Sequence, residues 1–149
     1  TYPLTASEYL YGYPGDEYVD VFGLDNYFDL DGIWNKAPLE EQKKSFKESL
    51  ELIVQLAGER NKIAAVAETG SVNIKTESWW TDWLLNGIEE NENTKKIAYV
   101  LVWRNEDKDH FHAPYPDHNS VLNFREFYNR PEVVFNSDLP DFYKSKKRK

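Results

Sequence analysis

The run KIAAVAETG, Lys62 to Gly70, sets five small or apolar residues ahead of a glutamate and a Thr-Gly turn. A carboxylate such as Glu68, placed where a buried strand surfaces, can attack a substrate or exchange a proton with it. It can equally be a solvated strand end, and these residues alone leave both readings open. Two further stretches repeat the pattern. EYVDVFGLDNY, Glu17 to Tyr27, brings Asp25 and Tyr27 to its end, and KKIAYVLVWRN, Lys95 to Asn105, ends on Trp103, Arg104 and Asn105. Aromatic residues make up 15% of the chain, with 5 Trp and 10 Tyr. Such rings usually pack cores; in excess and near carboxylates, they also suit the apolar C–H face of a pyranose ring.

Those side chains need elements to hold them. The turn YPGD, Tyr13 to Asp16, leads into the first strand, and its Pro-Gly pair predicts a type II turn. A helix is expected from Pro38 to Glu59, with Pro38 in its first turn, Glu40 and Glu41 at the positive end of the dipole, and Gly58 or Asn61 closing it. Phe46, Leu50, Ile53, Val54 and Ala57 form its buried stripe. A second helix is expected over Trp79 to Glu89, with Trp79, Trp80 and Trp83 mostly in the core and one of them able to reach a cleft. A short helix from Ser120 or Val121 to Asn129 would turn Phe124, Phe127 and Tyr128 inward. Apolar strands alternating with helices predict parallel β-structure covered by helices. Polar groups at all three C-terminal strand ends favour a (β/α)8 barrel, and no GxGxxG or GxxxxGK motif supports a nucleotide-binding sheet. Three βα units cannot close a barrel of about 250 residues, so 149 residues predict a partial one.

Composition narrows the function classes. Hydrophobic residues at 40% and charged residues at 30% describe a soluble globular chain. The longest apolar run, Ile97 to Trp103, is strand-sized, so no membrane span is expected. Cysteine is absent, which excludes disulfides and thiolate metal sites. The net charge is −8, although the last six residues, KSKKRK, hold five positive charges. The acidic body ahead of that tail argues against nucleic-acid binding. The chain holds no methionine, and its first residues do not resemble a signal peptide; a processed chain or a piece of a longer one is the expectation. His110, His112 and His118 lie in a loop without metal-ligand spacing, so satisfied loop histidines and no metal are expected.

Six motifs, in order, resemble the C-terminal half of glycoside hydrolase family 26, best known for endo-β-1,4-mannanases. They are YPGDEYVDVFGLDNY (13–27), AETG (67–70), WWTDWLL (79–85), YVLVWRN (99–105), HAPYPDH (112–118) and SDLPDFY (137–143). The resemblance implies an α/β fold, the C-terminal part of a (β/α)8 TIM barrel with about strands 6–8 and their helices. Residues 1–143 would form that half-barrel, and 144–149 a disordered basic tail. It implies that Glu68 is the catalytic nucleophile of a retaining glycosidase and that Tyr27 hydrogen-bonds it. Asp25, Trp103 and Arg104 would contact substrate: Asp25 lining the active centre, Trp103 flooring the sugar site, Arg104 holding hydroxyls or a carboxylate. Asp20 is either a more distant contact or a salt-bridge partner.

The chain departs from the family at one point. The family's acid/base is a glutamate directly after a histidine, and no His-Glu pair occurs here. It would lie on the N-terminal half of the barrel, in a longer chain or a second polypeptide, and these 149 residues alone are expected to be inactive. Pairing Asp25 with Glu68 is the alternative; it is discounted on the expectation that Asp25 lies one turn below the rim. The implied ligand is β-mannan or a related β-linked polysaccharide, with no cofactor, at an extracellular, periplasmic or cell-surface location. Mixed-linkage glucanase or β-1,3-xylanase activity on the same scaffold, or a non-catalytic carbohydrate-binding half-domain, are the competing functions.

Overall fold

The computed structural model describes residues 5–140, so the basic tail lies outside the described residues. Its elements run α1 (Ala6–Tyr9), β1 (Val21–Asn26), α2 (Leu39–Glu59), β2 (Ile63–Thr69), a π-helical segment (Trp79–Leu85) continued by α3 (Asn86–Glu89), β3 (Val100–Val102) and α4 (Val121–Tyr128). The strands form one parallel sheet in the order β1-β2-β3. This is a partial (β/α)8 barrel.

The helix α2 takes its place through its stripe. Phe46, Leu50, Ile53, Val54 and Ala57 are all buried against Phe22 and Leu24 of β1 and Ala64 and Val66 of β2. Burial of each large side chain contributes roughly 1.5–3 kcal/mol. Pro38 stands at the N-cap, one position before the expected first turn. At the other end Asn61 takes a left-handed φ of 54°. The Lys62 N–H then donates to the Ala57 carbonyl at 2.8 Å, closing the last turn.

The expected second helix is present but wound wider over Trp79–Leu85. Bonding from i to i+5 brings Trp79 and Trp83 more nearly into line than an α-helix would, and Trp79, Trp80 and Trp83 are all buried. Of the three, Trp83 lines a pocket, with Lys43, Phe46 and Gly87, and the Lys43 ammonium lies over its ring at 5.3 Å. In α4, Phe124 and Phe127 pack on Trp80 at ring distances of 4.7 and 5.5 Å. Tyr128 is 46% exposed rather than inward, resting on Phe135.

The third strand is shorter than its apolar run. Ladder bonds nevertheless flank it, from Ala98 N–H to Ala64 O at 2.8 Å and from Trp103 N–H to Thr69 O at 2.8 Å. Helices cover one face of the sheet. On the other, Val21, Ile63 and Leu101 are 37–50% exposed.

Candidate active site

Strands β1 and β2 run in register from Val21–Ile63 to Gly23–Ala65, then β2 gains a residue, so that Asp25 pairs with Glu68. A bulge of this kind re-aims the side chains that follow it. Gly23 permits it: a Cβ there would lie 2.8 Å from the Ala67 Cβ. Asp25 therefore stands level with Glu68, where an unbroken register would set it level with Ala67. Partial burial, and then the neighbouring Glu68 charge, raise the Asp25 carboxyl above its ordinary pKa.

Tyr27 follows the last residue of β1, and its hydroxyl donates to Glu68 Oε2 at 3.2 Å. Burial first, then the bond to Glu68 and the charges of Glu68 and Asp25, push the phenol up to about 12. It therefore remains a neutral donor throughout the working range of an enzyme. The bond fixes one carboxylate oxygen of Glu68 and leaves Oε1 for chemistry.

His112 supports this pair from the loop after β3. It is buried, and its ring meets Tyr27 edge-on at 5.8 Å between centroids. Its Nε2 lies 3.4 Å from that of His110. Burial, and then His110, lower its pKa. Gly70, with φ of 153°, passes so close that a Cβ there would collide with the His112 ring. Asn105 clasps the same loop, its Oδ1 accepting from the N–H groups of His112 and Ala113 at 2.9 and 2.8 Å. Asn73 joins the loop after β2 to it through the Phe111 carbonyl, at 2.8 Å.

Trp103 and Arg104 follow β3. Trp103 is 37% exposed and is held by its ladder bond to Thr69, the residue after Glu68. Arg104 is exposed and makes no ion pair among the described residues. Asp25, Tyr27, Glu68, Trp103 and Arg104 thus share one end of the sheet. Asp20 does not. It precedes β1 at the opposite end, with its side chain 99% exposed and 3.8 Å from Lys62 Nζ, so the salt-bridge reading is the one the fold supports.

His118 accepts from the Ser120 N–H at 3.2 Å and packs between Phe111 and Tyr115. Among the described residues no group of three or more His, Asp or Glu is arranged to hold a metal ion. Sequence reasoning named Asn105 only as a polar strand end, and passed over His112 as a site component, along with Asn73 and Thr69. Thr69 Oγ1 donates to the Asn26 carbonyl at 2.7 Å across the buried strand ends. Asparagine in a loop signals turns and side-chain-to-backbone bonds in general, and nothing local tells which loops it joins. The resulting arrangement is an oriented carboxylate with a fixed donor, a second carboxylate level with it, and an aromatic and a cation at the same rim. A carboxylate so held can attack an electrophilic carbon or exchange a proton.

The family model for glycosyl hydrolase family 26 matches residues 2–113. Among solved structures, the chain is similar to a GH26 β-mannanase from Bacteroides ovatus, with 33% identity and a TM-score of 0.77, over 97% of this chain and 39% of that one. It is similar to a GH26 protein from Muricauda sp., with 33% identity, TM-score 0.76, and 90% and 35% of the two chains covered. It is also similar to the catalytic domain of a GH26 endo-β-1,4-mannanase from Bacillus sp. JAMB-750, with 32% identity, TM-score 0.76, and coverage of 90% and 37%. The chain spans less than two fifths of each of these structures.

Proposed function

The chain belongs to glycosyl hydrolase family 26, and on that premise we propose that it supplies the nucleophile side of a retaining endo-β-1,4-mannanase. The carrying observation is the Tyr27–Glu68 hydrogen bond at the C-terminal strand ends. Glu68 attacks the anomeric carbon of a mannosyl unit, and the glycosidic oxygen leaves with a proton from a second carboxyl. A glycosyl ester on Glu68 results. Water, deprotonated by that same second carboxyl, then hydrolyses the ester and regenerates both groups. In retaining enzymes the two carboxyls stand about 5–5.5 Å apart. Tyr27 holds Glu68 in line for attack, and its donated bond favours the carboxylate both before attack and as the ester departs.

Asp25 binds sugar hydroxyls beside the reacting centre, Trp103 floors that sugar, and Arg104 reaches a hydroxyl or fixes a carboxylate. The acid/base glutamate belongs to the N-terminal half of the barrel, carried by a longer chain or a second polypeptide. The exposed sheet face at Val21, Ile63 and Leu101 is where that half would pack. No cofactor enters, because two carboxyls suffice for this chemistry. A polymeric substrate places the enzyme outside the cytoplasm, in the periplasm or at the cell surface.

The test is release of reducing sugar from β-mannan, with mixed-linkage glucan and β-1,3-xylan as comparison substrates. The 149-residue chain alone is expected to be inactive, and mixing with a polypeptide carrying the N-terminal half should restore mannan hydrolysis with retained anomeric configuration. Glu68→Gln should abolish it while sparing polysaccharide binding. Hydrolysis by the isolated chain, or by the Glu68→Gln complex, would overturn the assignment; preference for one of the other glycans would move the substrate and leave the mechanism.

A further inference from the structure

The loop from Tyr27 to Pro38 presents an indole that the mechanism above does not use. Trp34 is 74% exposed. Single exposed apolar residues are ordinary on protein surfaces, but this one sits on an unusually constrained support. Residues Gly32 to Asn35 form a turn closed by the Asn35 N–H on the Gly32 carbonyl at 2.9 Å, with Ile33 and Trp34 as its central residues. The turn lies directly on the backbone that carries Tyr27. A Cβ added to Gly32 would stand 2.6 Å from the carbonyl oxygens of Tyr27 and Phe28, and Asn35 Nδ2 donates to the Phe28 carbonyl at 3.1 Å. From below, the Trp79 indole N–H donates to the Leu30 carbonyl at 2.9 Å. Thr76 Oγ1 donates to Asp31 Oδ2 at 2.8 Å, Asp31 itself being left-handed with φ of 62°. Trp34 is thus fixed within one turn of the residue that hydrogen-bonds Glu68, at the same end of the sheet, with its ring free.

We propose that Trp34 is the stacking platform of a further sugar subsite, binding a pyranose unit of the same β-linked polysaccharide away from the bond cleaved. This rests on the polysaccharide reading given above. A rigid indole loses little entropy when a sugar stacks on it, and the pyranose C–H face matches its π surface. The loop invests hydrogen bonds from both flanking segments in holding a ring that contributes nothing to the core. Placement on the β1 side of the sheet separates it from Trp103, which follows β3, so the two indoles would hold different units of one glycan.

The test uses the 149-residue chain with β-1,4-mannohexaose and cellohexaose as probes. The chain has five tryptophans, so indole N–H resonances in a nitrogen-15 spectrum can be assigned by Trp34→Phe and Trp103→Phe. Titration should shift the signals of both Trp34 and Trp103, and Trp34→Ala should weaken binding by about threefold to tenfold without changing the thermal midpoint. If Trp103 moves while Trp34 stays still, or Trp34→Ala binds as the parent does, the Trp34 subsite is overturned and the glycan reading stands. If neither indole responds to either probe, the Trp34 subsite and glycan binding by this chain are both overturned.

Discussion

Tyr27 joins the two forces that shape the site, burial and the carboxylate charge. Its phenol should be among the last to ionise, near 12, with Tyr9 behaving similarly through burial and the charge of Asp25. Ultraviolet difference titration of Tyr27→Phe should lose one late-ionising phenol. Glu68→Gln should lower the Tyr27 transition only in part, since burial is the larger cause and survives the change. A Tyr27 that titrates like a free phenol in the parent would remove the packing on which the site depends. His112 gives a second residue-level prediction. Its folded pKa lies below that of an unfolded histidine, about 6.5. Below that pH the unfolded chain binds more protons than the folded one, so this contribution to stability is complete above about pH 6.5 and is lost as pH falls toward the folded value. His112→Phe should flatten the acid side of the stability profile, read from urea midpoints at about pH 5 and 7.5. These two residues also differ in how visible they were. Tyr27 and Glu68 could be placed from the resemblance together with their positions at strand ends. His112 could not, because its importance comes from a ring contact between loops far apart in sequence.

At the scale of elements, the two glycines Gly23 and Gly58 should respond in opposite senses to the same substitution. Gly58 lies within α2 with nothing near its missing Cβ, so Gly58→Ala should stabilise the fold by about 0.5–1 kcal/mol through helix propensity. Gly23 lies at the bulge against Ala67, and Gly23→Ala should destabilise by about 1–3 kcal/mol through overpacking. It should also disturb the Tyr27–Glu68 bond; equilibrium urea unfolding and the Tyr27 titration read the two effects separately. The helix stripe was legible because period and burial coincide: every residue named for it is buried. Strand existence was legible for the same reason, through apolar runs ended by polar groups. Boundaries were less so. Lys95 and Lys96 lie in a 3-10 turn rather than a strand, since lysines ahead of an apolar run carry no signal for where pairing begins. The bulge left no mark at all in KIAAVAETG, which reads as an apolar run ended by Glu68, so the level pairing of Asp25 with Glu68 could not be read there. Wide winding at Trp79–Leu85 was equally hidden, since no single residue type marks i→i+5 bonding.

For the whole molecule, the one-sided sheet is the feature that governs behaviour in solution. Val21, Ile63 and Leu101 present apolar side chains on the uncovered face, with Trp103 at its upper end. Strands β1 and β3 are edges of the described sheet. Unpaired edges and an apolar face favour association with any surface that can bury them. Opposing this is a net charge of −8, whose mutual repulsion weakens as salt shortens the screening length from about 10 Å at 0.1 M to about 3 Å at 1 M. The balance predicts that the chain, prepared by itself, self-associates with rising concentration and does so more strongly at high salt, the reverse of an assembly held by ion pairs. Ile63→Glu combined with Leu101→Glu should suppress this in sedimentation velocity, because each added carboxylate would have to be desolvated in the contact. Both side chains are already half exposed, so the double variant should keep the thermal midpoint of the parent. Salt-insensitive monomers at high concentration would show that this face does not govern association in solution. A double variant that still associates would place the contact elsewhere, with the apolar rim of α4 around Leu122, 77% exposed, as the next surface to alter.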